Sequence, residues 1–229
     1  RDWSSVVCSS DLFYLREKCM SDILTILIWA IPVLFAITVH ETAHGWVASQ
    51  LGDHTAKMMG RLTLNPVKHI DPVGTVLVPA LLYFASAGFI FGWAKPVPIN
   101  FSALRSPKRD MLWVAIAGPV SNFIMVALWL IVVLFASKTD ISFLVLMGDV
   151  GIFVNLLLAV LNLLPLPPLD GGRVLSSLLP PKIAYQFDQL EPYGLFILLG
   201  LLFLGIFQTV ILPIVKLIQH SAYSLVGLI

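Results

Sequence analysis

Four stretches of this chain, Ile23 to Gln50, Met111 to Ala136, Phe143 to Leu164 and Tyr193 to Leu212, are each long and apolar enough to cross the hydrocarbon layer of a bilayer. A helix needs about 20 mostly apolar residues for that. Lipid forbids unpaired backbone polar groups, so such segments can only be helices packed into a bundle. The composition agrees: 58% of residues are hydrophobic, 12% are charged, and the mean hydropathy is +0.92. The expected class is an all-α polytopic membrane protein of four to six transmembrane helices. Its net charge of +1 offers no basic surface for nucleic acid, and that partner is excluded.

Two further apolar stretches are ambiguous. Residues 72–92 contain Pro79 and Gly88, and residues 213–229 are interrupted by Lys216, Gln219 and His220. Lys57, Arg61 and Lys68 precede the first of these; Lys95, Arg105, Lys108 and Arg109 follow it. Cytoplasmic loops are enriched in Lys and Arg, so both flanks are expected inside and 72–92 is expected to re-enter rather than cross. Arg173 and Lys182 fall on the same side, which puts the N-terminus outside. Extended, proline-punctuated segments at Leu62 to Asn65 and Lys95 to Ile99 are expected to form a small sheet after the first span, whose edge adds a substrate as a further strand.

Residues 1–19 differ in character from the rest and resemble a translated sequencing-library adapter. They are expected to be a non-native or disordered extension, with Met20 the natural start and 20–229 a single domain. Cys8 and Cys19 are the only cysteines, so neither a disulfide framework nor a thiolate metal site is indicated.

The chemistry enters with His40-Glu41-Thr42-Ala43-His44, which matches H-E-x-x-H. On a helix, residues four apart share a face, so both imidazoles can hold one zinc ion while Glu41 takes a proton from its water. Ionisable groups inside a span cost about 2.5–3.5 kcal/mol each on insertion scales and are rare without a functional reason. A third protein ligand is needed. Asp170 is the best candidate: it follows Pro165, Pro167 and Pro168 at the end of a span and precedes Gly171 and Gly172. An ordinary capping Asp is the other reading of that position.

Together, His40, Glu41, His44 and the Asn162-to-Gly171 segment resemble the site-2 proteases, a family of intramembrane zinc metalloproteases. Ala117-Gly118-Pro119-Val120-Ser121-Asn122 is similar to that family's Gly-Pro-x-x-Asn element, and Gly92 to Pro98 to the strand segment of its compact bacterial and archaeal branch, which lacks PDZ and CBS domains. The resemblance implies one zinc ion per chain held by His40, His44 and Asp170, Glu41 as catalytic base, and an endopeptidase acting in or near transmembrane segments of membrane-protein substrates. It also implies a bacterial or archaeal cell membrane, with the site towards the cytoplasm and substrate choice resting on the membrane core or on an adaptor protein. Asn122 and Asn162 are expected to bind substrate or organise the site, and Asn155 to hold helices together. His54, His69 and His220 are expected to be interfacial or loop residues. Two other readings of the same residues are a membrane metal transporter and a non-catalytic helix-binding protein. The first lacks the paired repeats common in transporters.

Overall fold

The structure is a computed structural model that describes residues 22–84, 92–139 and 141–228. The expectations for residues 1–19, for both cysteines and for part of the 72–92 stretch lie outside the described residues. Among the described residues nine α-helices run in order: α1 Asp22–Gln50, α2 Thr55–Met58, α3 Val78–Phe84, α4 Pro107–Lys138, α5 Ser142–Asn162, α6 Asp170–Leu178, α7 Pro181–Asp188, α8 Gly194–Phe203 and α9 Leu212–Leu225.

Helices α1, α4 and α5 are long and apolar enough to span a membrane. They are uniformly apolar rather than amphipathic, as lipid-facing helices must be. They pack on one another. Between α4 and α5 the fit uses small residues, as bilayer packing generally does: Gly151 lies against the Trp129 ring and Gly148 against Val133. Val126, Trp129 and Val133 of α4, Ile152 and Leu156 of α5, and Ile211 and Val215 from the C-terminal part form the main core.

The fourth expected span is not straight. The stretch from Pro181 to Phe203 and that from Phe207 to Leu225 pass as one span only when taken together, and they meet at a bend of 72°. The 213–229 stretch, ambiguous in sequence, thus belongs to the far arm of this bent pair, and α9 lies along α5.

The 72–92 stretch begins with a wide helical turn, Pro72–Leu77, that leads into α3. Asp71 starts it, its carboxylate accepting from the backbone N–H groups of Val73 and Gly74. Among the described residues the apolar helix here is shorter than a span, in keeping with re-entry.

The expected small sheet is absent: no strand occurs among the described residues. Residues 92–100 do run without helix, but their hydrogen bonds go to scattered partners rather than into a ladder. The Lys95 N–H donates to the His69 carbonyl, and the Val97 N–H to Glu41. Pro96 and Pro98 have no N–H to donate, and Arg61 donates to the carbonyls of Lys95 and Pro96. At the other expected edge, the Thr63 carbonyl is occupied by both Thr42 Oγ1 and His69 Nε2. Neither segment offers the free strand edge the sequence suggested.

Candidate metal centre

His40 and His44 sit one turn apart on the buried face of α1, and Asp170 opens α6 after the Pro-rich turn that follows α5. The two Nε2 atoms are 3.0 Å apart, and each is close to Asp170 Oδ2, at 3.1 Å from His40 and 3.3 Å from His44. Three ligand atoms therefore converge from two elements far apart in sequence. A tetrahedral ion with Zn–N bonds of about 2.0–2.1 Å places neighbouring ligand atoms roughly 3.3 Å apart.

The partners of the other ring nitrogens decide what these contacts are. His44 Nδ1 lies 2.7 Å from the Val114 carbonyl, which can only accept, so Nδ1 carries the proton. His40 Nδ1 lies 2.6 Å from Asn122 Oδ1, and this amide is oriented by its own partners. Asn122 Nδ2 donates to Asn155 Oδ1 at 2.9 Å, while Asn155 Nδ2 donates to the Gly151 carbonyl at 2.8 Å. Asn122 therefore presents oxygen to His40, and His40 Nδ1 donates. With Nδ1 engaged elsewhere, each imidazole turns Nε2 towards Asp170, whose Oδ2 is buried and has no partner beyond the two rings. Neutral imidazoles and a carboxylate held at this spacing present three lone pairs to one point, which a cation among them would satisfy. The residues present fit a zinc ion.

Two local features make the centre possible. A Cβ on Gly118 would lie 2.4 Å from His44 Nε2 and 2.6 Å from His40 Nε2, so only glycine lets α4 pass the imidazoles at this depth. A Cβ on Gly171 would lie 2.3 Å from the Leu163 carbonyl oxygen, so glycine also lets α6 press on the end of α5 and bring Asp170 to the histidines. As the first residue of a helix, Asp170 is favoured by the helix dipole as well.

Glu41 points into the same region, half-buried, with Oε2 accepting from the Val97 N–H at 2.7 Å. The segment carrying Val97 is anchored at its far end by Asp53, whose carboxylate accepts from the Asn100 N–H at 2.7 Å and from the Thr55 N–H and hydroxyl. Burial alone would raise the Asp53 pKa; these hydrogen bonds outweigh it and hold the carboxyl below its ordinary value.

Two cavities meet here. One of about 280 Å³ is lined by His40, His44, Asp170, Val97 and Arg173. The other, of about 750 Å³, is largely apolar and lies between α1, the turn at Gly74, the end of α5 and α8. His40, Glu41, Asn162 and Pro168 border both.

Of the sequence-predicted residues, His40, His44 and Asp170 come together, Glu41 and Asn162 border the cavities beside them, and Asn122 stands behind His40. Asn122 is fully buried, which favours the organising reading over substrate contact. Asn155, expected only to join helices, does so by orienting Asn122, and so belongs to the centre. Val114 and Gly118 support it too; Gly118 was visible in the motif, but a backbone carbonyl has no sequence signal. His69 is buried and ties Thr63 to Lys95, its ring bonding the Thr63 carbonyl and its own carbonyl accepting from the Lys95 N–H, while His54 bonds Ser49 on the surface.

Comparison with known proteins agrees with this geometry. The model of Peptidase family M50 matches residues 140–205, which take in α5, Asp170 and the whole of α8. Two bacterial relatives carry the name Putative zinc metalloprotease. YwhC of Bacillus subtilis (strain 168) is 39% identical over 202 residues, covering 85% of this chain and 89% of the relative. Rip2 of Mycolicibacterium smegmatis is 30% identical over 172 residues, covering 74% and 64%. A zinc metalloprotease of Methanocaldococcus jannaschii is 26% identical over 160 residues, of which this chain spans 37% of the length. No solved structure matches. The chain belongs to Peptidase family M50, the site-2 protease type. It is a zinc metalloprotease and an integral membrane protein.

Proposed function

We propose that His40, His44 and Asp170 hold the zinc ion, that Glu41 is the catalytic base, and that the chain cleaves peptide bonds in or near transmembrane segments of membrane-protein substrates. The observation that carries this reading is the convergence of three potential ligand atoms, one of them a buried carboxylate oxygen that meets only the two imidazoles, at the junction of an apolar groove and a smaller polar cavity. The groove suits a hydrophobic segment arriving from the bilayer; the polar cavity suits water.

Zinc, when bound, supplies Lewis-acid activation of water at neutral pH. The remaining steps belong to the chain. Glu41, steadied at Oε2 by the Val97 N–H, takes a proton at its other oxygen as the water oxygen bonds to the scissile carbonyl carbon. As the C–N bond breaks, Glu41 returns that proton to the leaving nitrogen. Asn162 spends one amide hydrogen on the Leu158 carbonyl and keeps its remaining polar capacity at the border of both cavities, where it can hold an unwound substrate chain. Asn122 and Asn155 keep the His40 proton on Nδ1.

Lys57, Arg61, Lys68, Lys95, Arg105, Lys108, Arg109, Arg173 and Lys182 precede or follow spans at the end where α1 finishes and α4 begins. This supports a site opening towards the cytoplasm. Labelling of a cysteine at position 173 only from outside the cell would overturn that orientation.

The test is cleavage of a panel of single-span membrane peptides in liposomes. Glu41→Gln is expected to lose about 10²- to 10⁴-fold in rate while still binding zinc. Undiminished cleavage by Glu41→Gln would sink the assignment. Stoichiometric zinc with every peptide left intact would favour the transporter reading.

A further inference from the structure

A third cavity, of about 590 Å³, lies between α1, α5 and α9, well away from the metal centre. Trp29 on its α1 wall is 11 residues before His40, and Asp149 on its α5 wall is 13 residues before Asn162. At 1.5 Å per residue both walls lie roughly 15–20 Å along the helices from the site, towards the N-terminal ends of α1 and α5. No step of peptide hydrolysis uses this place.

Its chemistry is specific. Asp149 is an acid within a spanning helix, costly there and a marker of function by default. Its Oδ1 accepts from the Tyr223 hydroxyl at 2.8 Å, and Tyr223 in turn accepts from Gln219 Nε2 at 3.2 Å. Oδ2 has no hydrogen bond with a described residue. Lys216, on the same face of α9 as Gln219 and Tyr223, also lines the cavity and makes no ion pair among the described residues. Trp29, Phe153 and Tyr223 contribute aromatic rings to the same space, and the rest of the lining is mostly apolar.

The cavity thus offers a carboxyl oxygen beside aromatic rings, a lysine on another wall and an apolar lining. A carboxylate with aromatic faces suits an organic ammonium. A lysine ammonium suits a phosphate as a point charge. The apolar wall suits acyl chain. We infer that the cavity between α1, α5 and α9 binds a phospholipid whose headgroup joins a phosphate to a primary ammonium, the ammonium at Asp149 and the phosphate at Lys216. The arrangement has no matching place for an anionic glycerol headgroup, which would bring no cation to Asp149.

Native mass spectrometry of the whole chain in detergent, with phosphatidylethanolamine or phosphatidylglycerol of identical acyl chains, tests this. Wild type is expected to retain the ethanolamine lipid in preference by about five- to thirty-fold, the worth of one to two kcal/mol of desolvated cation–π and ionic contact. Asp149→Asn keeps an acceptor for Tyr223 and should fold, yet lose the preference. Trp29→Ala should lose part of it, and Lys216→Gln should weaken retention of both lipids. Equal retention of the two lipids by wild type, or an unchanged preference in Asp149→Asn, would overturn the proposal and leave only annular lipid. Should Asp149→Asn fail to fold, unchanged lipid binding in both Trp29→Ala and Lys216→Gln would overturn it as well. Loss of peptide cleavage in Glu41→Gln is independent of all these outcomes.

Discussion

Replacing Asn155 with Leu, which has the same number of side-chain heavy atoms branched at the same carbon, should weaken zinc binding although Asn155 touches neither the proposed metal ligands nor the cavities beside them. Asn122 and Asn155 are both fully buried, and the hydrogen bond between them is 2.9 Å long. Without Asn155 Oδ1, Asn122 Nδ2 retains only the Ala36 carbonyl at 3.4 Å. Leaving such a donor poorly satisfied costs about 1–3 kcal/mol. The larger effect is on orientation. With Asn155 present, a reversed Asn122 amide would set oxygen against oxygen at close range; with Leu only the more distant Ala36 carbonyl opposes the reversal. A reversed amide offers N–H to His40 Nδ1 and drives the His40 proton to Nε2, the ligand atom. Loss of partners that orient metal-binding histidines typically lowers metal affinity about 10- to 100-fold. Chelator competition in detergent would measure this, with Leu156→Ala as control. Leu156 is also fully buried on α5 but makes no polar contact with the centre. Its truncation should cost stability, by about 2–5 kcal/mol, without changing zinc affinity. Zinc affinity in Asn155→Leu within about twofold of wild type, against the expected tenfold or more, would refute the orientation argument.

Other consequences can be checked with the same material. Gly118→Ala places a methyl group 2.4 Å from His44 Nε2, and metal analysis should find the purified variant nearly free of zinc. Val97→Pro removes the N–H that steadies Glu41 and should reduce kcat with little change in zinc content; equal kcat would mean that Glu41 positions itself. Asp53→Asn should destabilise the chain above about pH 5, where a carboxyl of lowered native pKa stabilises the fold in full. As pH falls through the unfolded pKa of about 3.9 and towards the lower native value, that advantage disappears, so the thermal midpoints of wild type and variant should converge.

Much of this protein was legible in its sequence, because lipid leaves few options for long apolar segments. Spans α1, α4 and α5 follow from hydropathy, and His40, Glu41 and His44 from helical spacing. Asp170 was found as a carboxylate at a proline-broken span end. The bend between α8 and α9 is not legible in the sequence, since hydropathy carries no direction. The small sheet was expected from extended, proline-marked segments. Pro96 and Pro98 do keep the chain extended, but by removing every second donor they also prevent a ladder. Asn155 was read as helix glue because its link to His40 passes through Asn122, and a two-step contact between helices leaves no periodic trace.

Those two prolines bear on turnover. An enzyme that unwinds hydrophobic chains at its surface risks annealing them to itself, since each exposed N–H and C=O is a template for the next strand. The wall over Glu41 has Pro96 and Pro98 where a template would need donors, and Arg61 occupies two of its carbonyls. A severed fragment resting there has little to unzip when it leaves.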